Sequence, residues 1–170
     1  MVRLREIEKS DLKIINSWRN KPELIENLGA PFRYINYQVD ENWYFSYMNN
    51  RSTTVRCAIV DDSNIIIGMI SLLSINHLNQ TAELHIMIGD SKNQGKGIGK
   101  FAVKEILNHG FNNLNLNRIQ LGVLSYNYRA IKLYEKCGFK LEGKKRQAVY
   151  KNGKFVDMFL YSILKRELIY

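Results

Sequence analysis

The chain has 170 residues, 45% of them hydrophobic, with a formal charge of +9 from 25 basic and 16 acidic side chains. That length and apolar content suit one compact domain over residues 1–170 with a sizeable core, and its order of strand-like and helical segments is mixed α/β. The start Met1-Val2-Arg3-Leu4-Arg5-Glu6 lacks the apolar stretch of a signal peptide, so a cytoplasmic, non-membrane protein is expected. The two cysteines, Cys57 and Cys137, make no disulfide framework, and His77, His85 and His109 are not spaced with them as metal ligands, so no metal is expected.

In chain order, Val2 to Ile7 reads as a strand, and Ser10 is placed to cap a helix carrying Leu12, Ile15 and Trp18 at helical spacing. An irregular stretch through Pro31 and Phe32 leads to a second helix around Glu41 to Met48. Three strand-like runs follow, Val55 to Val60, Ile65 to Ile75 and Ala82 to Ile88, and they suggest an antiparallel meander. Gly97 to Asn112 reads as a helix, Arg118 to Val123 as a strand, Asn127 to Lys136 as a helix, and Asn152-Gly153 as the turn of a final hairpin.

The passage from the third run into its helix carries the chemistry. Gln94-Gly95-Lys96-Gly97-Ile98-Gly99-Lys100 is a glycine-punctuated helix entry, where missing Cβ atoms and free first-turn N–H groups make a place for a diphosphate. Two familiar phosphate loops fail on spacing. Lys96 is followed by Gly97 rather than by the Ser or Thr that holds magnesium, and Gly95-x-Gly97-x-Gly99 is not the Gly-x-Gly-x-x-Gly of dinucleotide folds.

What remains is Gln94-x-x-Gly97-x-Gly99 after a strand, followed downstream by Asn127-x-x-Ala130-Ile131-x-Leu133-Tyr134-Glu135-Lys136-x-Gly138-Phe139. Together these resemble the GNAT superfamily of acetyl-CoA-dependent N-acetyltransferases, in the branch of ribosomal-protein, polyamine and amino-sugar acetyltransferases. The resemblance implies a mixed, mostly antiparallel twisted sheet with flanking helices, in which the strands ending near Ile88 and Val123 splay to form an acetyl-CoA slot. It further implies that the Tyr134 phenol protonates the departing thiolate; helical spacing alone would equally make Tyr134 a core residue. Gly89-Asp90-Ser91 departs from the proline-containing turn of many relatives.

With acetyl-CoA as cosubstrate, Gln94, Gly95, Lys96, Gly97, Ile98, Gly99 and Lys100 would hold the diphosphate with Arg129 nearby, and Asn127 would cap its helix or bond the pantetheine arm. Backbone N–H groups at Met87 and Ile88 would steady the thioester oxygen. Glu83 is the leading candidate for the general base, set against an ordinary strand-end carboxylate. His85 shares its face by strand alternation and ranks second, set against a structural histidine. Trp18, Arg19, Asn20 and Arg33, with His85, are candidate acceptor contacts.

The acceptor is read as a primary amine of a small molecule, a polyamine or an amino sugar that is free or nucleotide-linked. The alternatives are a protein N-terminus and a non-catalytic acyl-CoA-binding domain. A nucleic-acid role for Lys144-Lys145-Arg146 is not expected. Homodimerisation is compatible with the resemblance.

Overall fold

A computed structural model describes residues 2–89 and 91–168. Seven strands form one sheet in the order β1-β2-β3-β4-β5-β7-β6. They are β1 (Arg3–Glu6), β2 (Val55–Val60), β3 (Ile66–Asn76), β4 (Thr81–Ile88), β5 (Arg118–Leu124), β6 (Lys140–Lys151) and β7 (Lys154–Leu164). All neighbours pair antiparallel except β4 and β5, which run parallel. The expected meander is therefore β2-β3-β4. The Asn152-Gly153 turn joins β6 to β7, with both of its residues at positive φ.

Among the described residues five α-helices flank the sheet: α1 (Leu12–Arg19), α2 (Pro22–Ile25), α3 (Tyr37–Asn49), α4 (Ile98–Asn108) and α5 (Tyr128–Lys136). Strand alternation divides the apolar residues between two cores. On one face Ile59, Leu84 and Ile119 pack with Ile98, Ala102, Val103 and Ile106 of α4 and Tyr134 of α5. On the other, Ala58, Val60 and Met69 pack with Leu12, Ile15 and Trp18 of α1 and Tyr47 of α3.

Local differences from the sequence reading have local causes. Ser10 is not the cap of the first helix. A 3-10 turn over Lys9–Asp11 precedes α1, and the Asp11 carboxylate closes that turn by accepting the Glu8 N–H at 2.8 Å, while α1 itself carries no side-chain cap. Helix α2 was not anticipated, because four residues are too few for a periodic pattern. The helix expected over 97–112 is α-helical only to Asn108 and continues as a wider turn over His109–Asn113, where Gly110 lies under the Ile119 and Leu72 side chains. Of the Gly89-Asp90-Ser91 turn, Asp90 lies outside the described residues. A Cβ on Gly89 would stand 1.9 Å from the Trp18 ring, so only glycine lets α1 close over this end of β4.

Candidate active site

The slot is visible in the strand register. Strands β4 and β5 pair at Thr81↔Arg118, Ala82↔Ile119 and Glu83↔Gln120, and beyond Glu83 no further pairs form. Leu84–Ile88 and Leu121–Leu124 thus line a gap inside the sheet, with unpaired main-chain groups along it. The Gly89 N–H donates to the Ile67 carbonyl at 2.9 Å, so alternation turns the Met87 N–H into the ladder with β3 and the Ile88 N–H into the gap. Of the two N–H groups assigned to the thioester oxygen, only that of Ile88 is free for it; Met87 is corrected to a ladder residue.

At the mouth of the gap, Gly97 caps α4 with φ +79°, a left-handed conformation, and nothing lies within 4 Å of where its Cβ would be. Gly95 shares that φ, and Lys96 and Lys100 are exposed beside it. Gly99 has a different role from the one expected: its missing Cβ admits Leu133 of α5 at 3.2 Å, so it serves helix packing. The Gln94 side-chain oxygen accepts a hydrogen bond from Arg129, which latches the glycine-rich loop to the start of α5. Ile98 is buried in the core beneath this loop.

Asn127 caps α5 by accepting the Ala130 N–H at 3.1 Å, while its side-chain NH2 donates to the Asn27 carbonyl at 3.0 Å. It therefore joins the start of α5 to the segment after α2. Sequence reasoning had no signal for that contact across 100 positions.

Tyr134 is 6% exposed and stacks edge-on with Phe139, ring centroids 5.7 Å apart. Burial pushes its phenol up to about 12, with Cys137 adding to the effect. The hydroxyl makes no hydrogen bond to any described residue, yet it is not among the side-chain atoms sealed from solvent.

Glu83 sits where the strands part. His85 lies on the same face, its Nε2 3.1 Å from Glu83 Oε1, with both side chains partly exposed. Glu83 lines a cleft of about 190 Å³ together with Gln120, Gly122, Met158, Leu160 and Glu142. The Arg118 guanidinium and Ser162 hydroxyl hold the Glu142 carboxyl down at about 2, and Arg118 clasps it at 2.6 and 2.5 Å. Glu142 was not identified from sequence, because its partners, Arg118 on β5 and Ser162 on β7, come from two other strands.

The other proposed acceptor contacts do not gather at this cleft. Trp18 is 2% exposed and belongs to the core. Asn20 exchanges hydrogen bonds with the Ile35 main chain at 2.7 and 2.9 Å and donates to the Asn16 carbonyl at 3.0 Å. Arg19 pairs with the fully buried Asp40. Arg19 and Asn20 fasten α1 to the start of α3, and Trp18 closes α1 over the end of β4. Arg33 is exposed on the connecting segment.

Comparison with known proteins agrees with this geometry. The acetyltransferase (GNAT) domain family matches residues 2–140. The spermidine N(1)-acetyltransferase of Vibrio cholerae is 29% identical over 166 residues, covering 98% of this chain and 94% of the relative. A putative ribosomal N-acetyltransferase of Bacillus subtilis is 37% identical over 100 residues, 59% of this chain and 54% of that one. The crystal structure of the Vibrio cholerae spermidine N-acetyltransferase in complex with CoA and spermine superposes with a TM-score of 0.92 at 29% identity, covering 98% of this chain and 96% of the other. The chain belongs to the GNAT acetyltransferase family and is an acetyl-CoA-dependent N-acetyltransferase.

Proposed function

We propose that this enzyme acetylates a primary amine of a small linear polyamine by direct attack on acetyl-CoA within a ternary complex. The observation that carries the acceptor class is the cleft at Glu83: about 190 Å³ is below the ~300 Å³ at which sites for bulky ligands begin, and it suits a narrow chain. The full-length similarity to spermidine acetyltransferases points the same way.

The chemistry assigns the groups. A polyamine nitrogen of pKa about 10.4 is neutral only about once in two or three thousand at pH 7, a cost of roughly 4.6 kcal/mol. Glu83, at the start of the gap, takes that proton directly or through a water. The neutral amine attacks the thioester carbonyl, whose oxygen gathers charge against the Ile88 N–H. As the tetrahedral centre collapses, the nitrogen gives up a second proton and the thiolate leaves toward the Tyr134 hydroxyl. One proton ends on the CoA thiol and one in solvent. The diphosphate rests on the Gly95–Gly99 loop, with Lys96, Lys100 and Arg129 around it.

The test is CoA release and acetylated product measured across spermidine, spermine, free and nucleotide-linked amino sugars, and peptides with free N-termini. Polyamines should show the highest kcat/KM. A peptide terminus, whose α-amino group of pKa near 8 costs only about 1.4 kcal/mol to deprotonate, would overturn the assignment if it outran them. So would an amino sugar.

A further inference from the structure

We propose that Arg56 is the anchor of a second ligand site, one that binds a carboxylate or phosphate group on the side of the sheet covered by α1 and α3. Arg56 on β2 pairs with Ser71 on β3, which pairs in turn with His85 on β4. Cross-strand partners share a face, so the three side chains form a row beginning beside Glu83.

The guanidinium of Arg56 is fixed but unanswered. Its carbon lies 4.7 Å from the Trp43 ring centroid and 6.0 Å from that of Tyr47, both on α3. Its Nε is sealed from solvent and has no hydrogen-bond partner, the one such side-chain atom among the described residues. The two terminal nitrogens likewise make no hydrogen bond to a described residue, and both remain open to solvent. The Trp43 ring is shared with a second guanidinium, that of Arg19 at 5.7 Å. The contrast between the two is informative, because Arg19 has Asp40 as counter-charge and Arg56 has no carboxylate partner among the described residues. Burial acts against the ionised form of Arg56 and the Arg19 charge adds to it, with only the Tyr47 phenol acting the other way and no carboxylate.

Ser71, its cross-strand neighbour, is 4% exposed, and its hydroxyl also makes no hydrogen bond to a described residue. A stacked, half-buried cation and an adjacent unengaged hydroxyl are the donor set of an anion site. The enclosed Nε limits the ligand to the two terminal nitrogens, an end-on approach by a carboxylate or phosphate.

The anion has two sources with the same chemistry, a free small anion or an anionic group carried by an acceptor amine. The probes are inorganic phosphate and acetate, titrated into the wild-type enzyme at constant ionic strength set with chloride. The readout is the Arg56 Nε–Hε resonance, which the sealed environment protects from exchange; Arg56→Gln identifies it by its disappearance and Arg56→Lys keeps the charge without the fork. Saturable displacement of this resonance in wild type supports the site, and affinity measured by calorimetry should fall about tenfold or more in both variants. No saturable shift in wild type, or equal calorimetric affinity in the variants, overturns it. The second arm compares kcat/KM for glucosamine and glucosamine 6-phosphate. A preference for the phosphorylated amine that Arg56→Gln abolishes identifies the acceptor as the source; equal rates with intact phosphate binding identify a free anion. Only this arm rests on the acetyl-transfer reading, and failure to acetylate any amine would leave the resonance arm to decide the site.

Discussion

Tyr134→Phe removes one oxygen from the buried face of α5 and should leave everything else in place. The hydroxyl has no hydrogen-bond partner among the described residues, while the edge-on contact with Phe139 depends only on the ring. An isosteric loss of an unpaired hydroxyl is nearly neutral for stability, so Tm should move by less than about 2 °C. Turnover behaves differently. With its pKa pushed up to about 12, the phenol is a weaker acid than a thiol of pKa about 8.5 by roughly 3.5 units, so complete transfer to a settled thiolate is uphill by about 5 kcal/mol. The phenol then acts mainly by hydrogen bonding to the sulfur as charge develops, an interaction with an ionised partner worth about 1.5–3 kcal/mol. That corresponds to a fall in kcat of about ten- to 150-fold with CoA affinity unchanged. The assay is CoA release under saturating acetyl-CoA, with thermal melting and CoA calorimetry on the same preparation. Wild-type kcat in a normally folded variant would refute the reasoning, as would a kcat loss explained by weakened CoA binding. The raised pKa has a second consequence: stability is complete below pH 10 and declines as pH rises toward 12, and the Phe variant should lose that part of the alkaline decline.

His85→Ala should lower kcat by up to about fivefold through loss of the contact that steadies Glu83, a modest effect because both side chains are partly exposed. His85→Gln keeps a donor and should recover most of it; identical kcat values in both variants would detach His85 from Glu83. Glu142, held down at about 2 against an ordinary 4.5, contributes stability that is present above pH 4.5 and lost as pH falls toward 2. Glu142→Gln should therefore flatten the acid limb of the stability curve in that window, and an unchanged limb measured by denaturant melts from pH 6 to 2 would contradict the Arg118 pairing.

Most of the sheet was legible in the sequence, because β2, β3 and β4 are long apolar runs bounded by polar turns, and Asn152-Gly153 declares its hairpin. The glycine-rich turn before α4 and helix α5 were legible for a different reason: their residues are constrained by local backbone geometry, as the left-handed Gly97 shows. The acceptor side was read poorly. Trp18, Arg19 and Asn20 have the composition of a binding cluster, but their partners, Gly89, Asp40 and the Ile35 main chain, lie 15 to 71 positions away, and only folding reveals that those partners engage them. Glu142 and Arg56 escaped notice for the converse reason: a charged residue on a strand looks solvated until the fold shows what faces it, an arginine and a serine for Glu142 and two aromatic rings for Arg56.

The binding of CoA at the start of α4 tests the account most directly, by calorimetry on wild type, Gly97→Val and Gly99→Ala. The Gly97 position is open to ligand and the Gly99 position faces Leu133, so the account predicts one CoA per chain, markedly weaker binding in Gly97→Val, and near wild-type affinity in Gly99→Ala. Equal affinity in wild type and Gly97→Val, or no binding to wild type at all, would contradict it.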